Sequence, residues 1–327
     1  MKPVTLIGTL VVALGFALTP CLATAQQAAW PSKPVRFVVP YPPGSSGDLI
    51  ARKLAPYLSK ALGGQFVVDN RSGANGSIGM ENVAHSAPDG HSFVFGTDIQ
   101  FAIAPILYKL PYDTEKDFEP VALVTVIEIV LLAHPSVTAN NLQELVKLAK
   151  AQPGKINYAS TGIGSTHQLA VELLKQRGGF DLTHVPYKGT GQALPDLVAG
   201  QVQVMFAGIT QSMQYLNSGR LKALAVASPK RQALLPDLPT VAESGFPGYE
   251  ANAYWAIWAP AGTPAAITQK LYTELRKQLD LPEVRDWFEK SGLAASAAGP
   301  EELGARIRAD RARWTRVVSE ANIKVDQ

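Results

Sequence analysis

The sequence predicts an α/β protein of two lobes, each a mainly parallel sheet flanked by helices. Short apolar runs alternate along the chain with helical patterns, which is the rhythm of βαβ units. Two further apolar runs, at residues 121–133 and 254–259, predict strands that cross from one lobe to the other and back. About 300 residues would remain after removal of a leader, which is more than one hydrophobic core usually holds.

The first lobe begins with a predicted strand at residues 35–39. A Pro/Gly/Ser loop follows, and then a helix from about Asp48, in which Ile50, Leu54 and Leu58 recur every four residues on one face. The same alternation continues with a strand at 66–68, a helix near Ile78 and a strand at 93–96. Such sheets bind ligands outside the carboxyl ends of their strands, where the loops lie.

The run at 121–133 predicts one strand long enough to cross between the lobes. Glu128 interrupts this run, and two interpretations are open: a glutamate paired at the lobe junction, or a ligand contact. After Pro135 a second series begins, with its own strands and helices. It comprises a helix at 142–148, a strand at Ile156, a strand near 182–185, a helix near 193–197, and strands at 202–206 and 222–227.

The run at 254–259 predicts the return crossing, and two crossings between lobes form a hinge that permits closure around a ligand. The tail is predicted to hold helices at 264–279 and 301–321. We therefore expect lobe 1 to comprise residues 30–125 and 255–327, and lobe 2 to comprise residues 126–254.

Two loops of small and hydroxyl-bearing residues precede helices in the same way. The first lies within VVPYPPGSSGDLIARKLAPYL at 38–58, and the second within INYASTGIGSTHQLAVELL at 156–174. The first N–H groups of a helix have no partner within the helix, and the helix dipole favours negative charge there. Two such loops in one chain predict two lobes that hold one anionic ligand.

The N-terminus is typical of an export signal, with Lys2, an apolar run at 4–18 and an Ala23-Thr24-Ala25 cleavage site. We expect residues 1–25 to be removed and the mature, soluble chain to begin at Gln26. Lipidation at Cys21 is the alternative, but Pro20 fits a lipidation signal poorly. Cys21 is the chain's only cysteine, so cleavage would leave a protein without disulfides.

Composition and motifs argue against several function classes. The formal net charge is +3, too small for the basic footprint of a nucleic-acid-binding protein. No zinc-protease, nucleophile-elbow, Walker A or EF-hand motif occurs, and the five histidines lack zinc-ligand spacing. Ser165 and His167 lie two residues apart at a helix start, where their side chains diverge. They are better explained as caps or anion ligands than as a hydrolase pair.

Several long motifs resemble the Bug-type extracytoplasmic solute receptors, the substrate-binding components of tripartite tricarboxylate transporters. They occur in order along nearly the whole mature chain. The motifs are WPSKPVRFVVPYPPGSSGDLIARKLA at 30–55, VVDNRSGANGSIGMENVAHSAPDGHSF at 67–93, LPYDTEKDFEPVALV at 110–124, PGKINYASTGIGSTHQLA at 153–170, HVPYKGTGQALPDLVAGQV at 184–202, LPTVAESGFPGYE at 238–250 and WAPAGTPA at 258–265.

The resemblance implies a periplasmic binding protein of the Venus flytrap type that closes on a small carboxylate and delivers it to a membrane permease. It implies no enzyme activity, no cofactor and no metal, and we expect a monomer because delivery needs a free cleft. A receptor that senses the ligand for a signalling membrane partner is the alternative, and an exported hydrolase is a more remote one.

The resemblance also implies which residues meet the ligand. They lie in a first loop (41–48), a second loop (160–167), a third loop (96–98) and the end of a lobe 2 strand. They are Tyr41, Pro43, Gly44, Ser45, Ser46, Asp48, Gly96, Thr97, Asp98, Ser160, Thr161, Gly162, Gly164, Ser165, His167, Phe206 and Ala207. The family's first loop usually has two adjacent glycines, where this chain has Gly44-Ser45-Ser46-Gly47, which leaves the ligand open.

No arginine lies in either of the first two loops, so backbone N–H groups, hydroxyls and helix ends would hold the carboxylate. Asp48 is expected to cap its helix, with ligand contact as the alternative. Asp98 either binds a ligand ammonium group or hydrogen-bonds the loop backbone. Aromatic side chains would either contact an aromatic or otherwise apolar ligand body or belong to the core. They are Phe101, Tyr41, Phe206 and Trp255.

Overall fold

The computed structural model describes residues 30–291 and 293–325, so the predicted export signal and Cys21 lie outside the described residues. The strands are β1 Val35–Val39, β2 Phe66–Asn70, β3 Ser92–Thr97, β4 Phe118–Ile127, β5 Ile129–Ala133, β6 Asn157–Ser160, β7 Thr183–Pro186, β8 Val204–Gly208, β9 Lys222–Val226, β10 Ala253–Pro260 and β11 Ala294–Ala295. The α-helices are α1 Ser46–Leu62, α2 Ser77–Ala84, α3 Ala104–Leu107, α4 Leu142–Ala151, α5 Thr166–Gly178, α6 Thr190–Val198, α7 Ile209–Asn217, α8 Ala265–Leu279, α9 Pro282–Lys290 and α10 Pro300–Glu320.

The first sheet has the strand order β11-β4-β10-β3-β1-β2. β1 pairs in parallel with β2 and with β3, as the βαβ pattern predicted. β10 returns from the second sheet and lies antiparallel between β3 and β4. The carboxyl ends of β1 and β3 therefore lie at the edge of the sheet where the chain crosses.

The second sheet has the order β7-β6-β8-β5-β9. β6 pairs in parallel with β7 and β8, while β5 lies antiparallel to β8 and β9. The two-lobed α/β fold expected from the sequence is confirmed. Each sheet is mixed, because β10 and β11 in the first sheet and β5 in the second run against the other strands.

The predicted single crossing strand at 121–133 is instead two strands. β4 ends at Ile127 and belongs to the first sheet, and β5 begins at Ile129 and belongs to the second. Glu128 lies at the break, where its carbonyl accepts a hydrogen bond from the N–H of Ile209 at 3.0 Å. Its Oε2 atom is buried without a hydrogen-bond partner among the described residues. The positive charge of Arg306 acts on this carboxyl, so the expected pairing of Glu128 at the junction stays a prediction.

Apolar cores cover both faces of each sheet, and the last helix contacts cores of both. Leu303, in the first turn of α10, is buried with first-sheet residues such as Val94. Trp314 and Val317, near its other end, are buried with second-sheet residues such as Phe206. The lobe boundaries expected from the sequence remain a prediction, and α10 joins the two cores whichever lobe it is assigned to.

Among the described residues, no helix is long and apolar enough to span a bilayer. The site is positioned by the two sheets, the loops at the carboxyl ends of β1, β3 and β6, and the helices that begin there.

Candidate functional site

The first loop is held rigidly against the start of α1. Ser45 caps the helix, and its side chain accepts a hydrogen bond from the N–H of Asp48. Asp48 reaches back and accepts from the N–H of Gly44 at 2.9 Å, and Gly44 has the φ of +82° that favours glycine. The N–H groups of Ser46 and Gly47 have no acceptor within the helix, so they remain available to an anion.

Asp48 is buried and acts within the loop. Its Oδ1 accepts from Nε of Arg52 at 2.9 Å. Burial raises the pKa of Asp48, but the hydrogen bonds from Arg52 and Gly44 outweigh it and hold that pKa below its usual value. Arg52 also donates to Asn70 at 3.0 Å. The geometry thus favours the capping interpretation of Asp48.

The second loop repeats this construction at the start of α5. Ser165 caps the helix by accepting from the N–H of Gln168, and Gln168 Oε1 accepts from the N–H of Gly164 at 2.7 Å. Gly164 has a φ of +75°. The N–H groups of Thr166 and His167 are the free donors at this helix start. Each sheet therefore presents one helix N-terminus prepared in the same way.

An aromatic floor underlies the start of α1. The ring of Tyr41 contacts Trp255 edge-on, with 5.3 Å between ring centroids, and Trp255 stacks on Phe95 at 5.8 Å. A Cβ atom added to Gly47 would lie 2.2 Å from the Trp255 ring, so only glycine fits at this position. The free N–H groups of α1 therefore sit beside an apolar surface, where they interact with charge more strongly than in water.

The third loop, with Gln100, fixes Tyr41. Gln100 Oε1 accepts from the N–H and from Oγ1 of Thr97, at 2.9 and 2.8 Å. Gln100 Nε2 donates to the Tyr41 hydroxyl at 2.8 Å. Burial raises the pKa of Tyr41, so the phenol stays neutral and polar at neutral pH.

Asp98 joins this third loop to the second. Oγ1 of Thr166 donates to Asp98 Oδ2 at 2.7 Å, and the N–H of Tyr254 donates to Oδ1 at 3.4 Å. The side chain is 1% exposed, and its burial raises the pKa of Asp98 to about 7. These partners lie outside the third loop, so Asp98 is bonded to the start of α5 and to β10 and not to the backbone of its own loop, as one interpretation expected.

The two histidines near the second loop are uncharged at neutral pH and bond to its hydroxyl groups. His167 Nδ1 lies 2.9 Å from Oγ1 of Thr161, and His184 Nε2 lies 2.7 Å from Oγ of Ser160. Burial lowers the pKa of His167 to about 4, and burial with the nearby charge of Lys175 lowers the pKa of His184 to about 4. Neither histidine adds positive charge to the loop at neutral pH.

Ser165 is oriented as a cap. Its hydroxyl donates to the carbonyl of Gly162 at 2.7 Å and accepts from the N–H of Gln168 at 3.3 Å. The hydroxyl of Ser165 therefore has backbone partners, and the imidazole of His167 bonds to Thr161. Among the described residues, no group of three or more His, Cys, Asp or Glu side chains is placed to hold a metal ion.

The remaining predicted residues differ in their surroundings. Pro43 and Ser46 are exposed beside Gly44, whereas Gly96 and Ser160 are buried at strand ends. Phe206 and Ala207 are fully buried on opposite faces of the second sheet, in different cores, so their side chains present no surface in this structure.

Three residues with clear structural roles were missing from the sequence-based set. The sequence could have indicated the role of Gln168, because it stands three residues after the cap Ser165, as in a capping box. No local pattern indicates the roles of Gln100 and His184, because their partners Tyr41 and Ser160 are distant in sequence.

Comparison with protein families identifies one matching model. Residues 50–323 match the family described as "Tripartite tricarboxylate transporter family receptor". This match spans the second sheet, the second loop and every strand of the first sheet except β1, and it begins just after the first loop.

A similar curated protein is Protein BugT of Bordetella pertussis. It is 34% identical over 312 residues, covering 93% of this chain and 96% of the relative. The similarity therefore extends over the whole fold of both proteins.

Two solved structures from Rhodopseudomonas palustris share the fold. Rpa4515 with adipate is 34% identical, with a TM-score of 0.77, and covers 90% of this chain and 99% of that one. MatC with bound malate is 34% identical, with a TM-score of 0.73, and covers 88% of this chain and 100% of that one.

Proposed function

The chain belongs to the tripartite tricarboxylate transporter receptor family, and from this premise we propose that it binds a small carboxylate between its two lobes and delivers it to a membrane permease. The observation that carries the proposal is the pair of matching helix starts, one from each sheet. Each is capped by a serine and braced by Asp48 or Gln168, and each leaves two N–H donors free.

The two helix starts favour a ligand with two acidic ends. One carboxylate would accept from the N–H groups of Ser46 and Gly47, and the other from those of Thr166 and His167. Adipate and malate, the ligands of the two related structures, each carry two carboxylates. Tyr41, which is partly exposed, would contact an apolar body between these ends, with Trp255 buried behind it.

The site holds its ligand without a guanidinium group. The guanidinium of Arg52, near the first loop, donates to Asp48 and Asn70 instead. Backbone donors and two helix ends bind a carboxylate less tightly than a bidentate arginine would. This suits a receptor that must release its ligand to a transporter.

The proposal places the mature chain in the periplasm as a monomer that acts as a receptor and not as an enzyme. The partners of Ser165 support the receptor role, since its hydroxyl is engaged with backbone groups and no imidazole of the described residues is positioned to take its proton. The partner in the membrane would be the permease of a tripartite tricarboxylate transporter.

The test is a ligand panel on protein that starts at Gln26 and has been unfolded and refolded to remove bound ligand. The panel holds malate, adipate, citrate, glutamate and terephthalate, and thermal shifts are followed by calorimetric titration. A ligand at one hundred times its Kd adds about 2.7 kcal/mol, a shift of a few degrees for a chain of this size. If folded protein responds to none of these carboxylates, the proposed ligand class is wrong.

A further inference from the structure

A buried acid lies beside the proposed carboxylate site. Asp98 is 1% exposed, and its Oδ2 lies 2.7 Å from Oγ1 of Thr166, the first residue of α5. The N–H of the same Thr166 is one of the two free donors proposed to bind a ligand carboxylate at this helix start. A carboxylate bound there is therefore held by the same residue that contacts Asp98.

The hydrogen-bond partners of Asp98 are uncharged. They are the hydroxyl of Thr166 and the N–H of Tyr254, which lies 3.4 Å from Oδ1. A buried carboxylate with uncharged partners is less stable than the same group in water, because burial disfavours the charged form. Burial accordingly raises the pKa of Asp98 to about 7.

The last helix presents two opposite charges to Asp98. The negative charge of Asp310 raises the pKa of Asp98, and the positive charge of Arg306 lowers it. Arg306 is itself paired with Glu250 at 2.9 Å. The helix therefore offers Asp98 no cation of its own to balance an additional negative charge nearby.

The other titratable groups around Asp98 are uncharged in the neutral range. Burial raises the pKa of Tyr41 in the first loop, and it raises the pKa of Tyr254 on β10 further. Burial lowers the pKa of His167, which follows Thr166 on α5, to about 4. Between pH 6 and 9 these three groups keep their charge state, so they do not compensate for a change at Asp98.

A ligand carboxylate at the start of α5 would place a second negative charge beside Asp98. Two like charges close together in a buried site repel, and one of the two groups takes up a proton. The 2.7 Å between Oδ2 of Asp98 and Oγ1 of Thr166 suits both states, since a carboxylate accepts from the hydroxyl and a carboxylic acid donates to it. The start of α5 can therefore keep its position when Asp98 is protonated.

We infer that the protein binds its carboxylate ligand together with a proton, which Asp98 holds in the complex. The proton comes from the solvent and returns to it when the ligand leaves. This inference rests on the proposed carboxylate function, because it requires an anion at the start of α5. It makes ligand release sensitive to pH, since loss of the proton leaves two negative charges at one site.

The affinity should fall as the pH rises above about 7. Below this value Asp98 already holds its proton in the unliganded protein, so the affinity should not change. Above it, binding must draw a proton from the solvent, and each pH unit should weaken binding by up to about tenfold. The carboxyl groups of the ligand are ionised throughout this range and do not contribute.

Calorimetric titration from pH 6 to 9 tests this with adipate, malate and terephthalate as probes. Asp98→Asn introduces a neutral amide that can donate to Thr166 and accept from the Tyr254 N–H, as the protonated acid does. This variant should match wild type at pH 6 and keep that affinity, so that at pH 9 it binds up to about 100-fold more tightly than wild type. Asp113→Asn is the control and should follow wild type, because the pKa of Asp113 is about 2.

A second readout counts the protons. Titration at pH 8 in phosphate and in Tris, which differ in ionisation enthalpy, measures the protons taken up on binding, and Asp98→Asn should take up fewer than wild type. The inference alone is overturned if a probe binds and the two proteins show the same pH dependence or the same proton uptake. If none of the three probes binds to either protein, the proposed carboxylate function fails, and the inference fails with it.

Discussion

Asp98 accepts a hydrogen bond from Thr166 across the two sheets, with 2.7 Å between Oδ2 and Oγ1. Asp98 follows β3 of the first sheet, and Thr166 is the first residue of α5 beside the second. The same third loop holds Tyr41 through Thr97 and Gln100. One short segment therefore positions both the aromatic floor of the first loop and the helix start of the second.

The first prediction concerns pH and Asp98. The pKa of this carboxyl is about 7 in the folded protein, against an ordinary value of 3.8. At a pH between these two values, Asp98 holds a proton in the folded protein that it has released in the unfolded chain. The stability that this proton contributes is therefore lost as the pH rises from about 4 to about 7. Asparagine does not titrate. The Tm of Asp98→Asn, minus that of wild type, should rise through this window and level off above it.

Thermal unfolding without ligand, from pH 4.5 to 8.5, measures this difference. Asp113→Asn is the control, because hydrogen bonds from Lys116 and the Glu115 N–H lower the pKa of Asp113 to about 2. Its titration is nearly complete below the window, so its Tm difference should stay flat above about pH 5. A flat difference for Asp98→Asn would show that this carboxyl is not buried as described.

The second prediction separates the backbone donor of Ser46 from its hydroxyl. Ser46 is the first residue of α1, where proline is well tolerated, and the extended conformation of Ser45 suits a residue before proline. Ser46→Pro should keep the Tm of the unliganded protein but weaken carboxylate binding by roughly 10- to 100-fold, since one N–H donor to a charged group is lost.

Ser46→Ala keeps the N–H group and removes only the hydroxyl, so it should bind nearly as tightly as wild type. Calorimetric titration with the carboxylate that the panel identifies measures both variants. Equal affinities of Ser46→Pro and Ser46→Ala would mean that the start of α1 does not bind the ligand through its backbone.

The third prediction tests the contact between α1 and the aromatic floor. Gly47 and Gly191 are each the second residue of a helix, but a Cβ at Gly47 would lie 2.2 Å from the Trp255 ring, and one at Gly191 meets nothing within 4 Å. Gly191→Ala should raise stability by up to about 1 kcal/mol through helix propensity. Gly47→Ala should lower it by about 1–3 kcal/mol through overpacking. Denaturant titration checks both, and a stabilised Gly47→Ala would contradict the packing.

Local features of the site could be predicted from the sequence. The two capped helix starts follow from short patterns, Gly44 to Asp48 and Gly164 to Gln168, because each cap involves residues at most four apart. The fold class followed from the alternation of apolar runs and helical patterns. These signals are local, and local patterns are what a single sequence carries most clearly.

Long-range contacts could not be predicted in the same way. Asp98 and Thr166 are 68 residues apart, and Gln100 and Tyr41 are 59 apart, and no periodicity links such pairs. The break at Glu128 was missed because the apolar run on both sides of it fits one strand as well as two. The burial of Phe206 and Ala207 depends on the helices that cover the second sheet, which the pattern of one strand does not specify.

The last prediction compares the two caps and tests the receptor interpretation against hydrolysis. Ser45→Ala and Ser165→Ala should each cost about 1 kcal/mol of stability, because each removes the acceptor for one N–H group at a helix start. Both should weaken carboxylate binding, since each variant removes the cap that holds the neighbouring N–H donors in place.

Wild type should not hydrolyse a library of p-nitrophenyl esters, because the hydroxyl of Ser165 is engaged with Gly162 and Gln168. Ester turnover by wild type that disappears in Ser165→Ala but persists in Ser45→Ala would instead identify Ser165 as a nucleophile and overturn the receptor function.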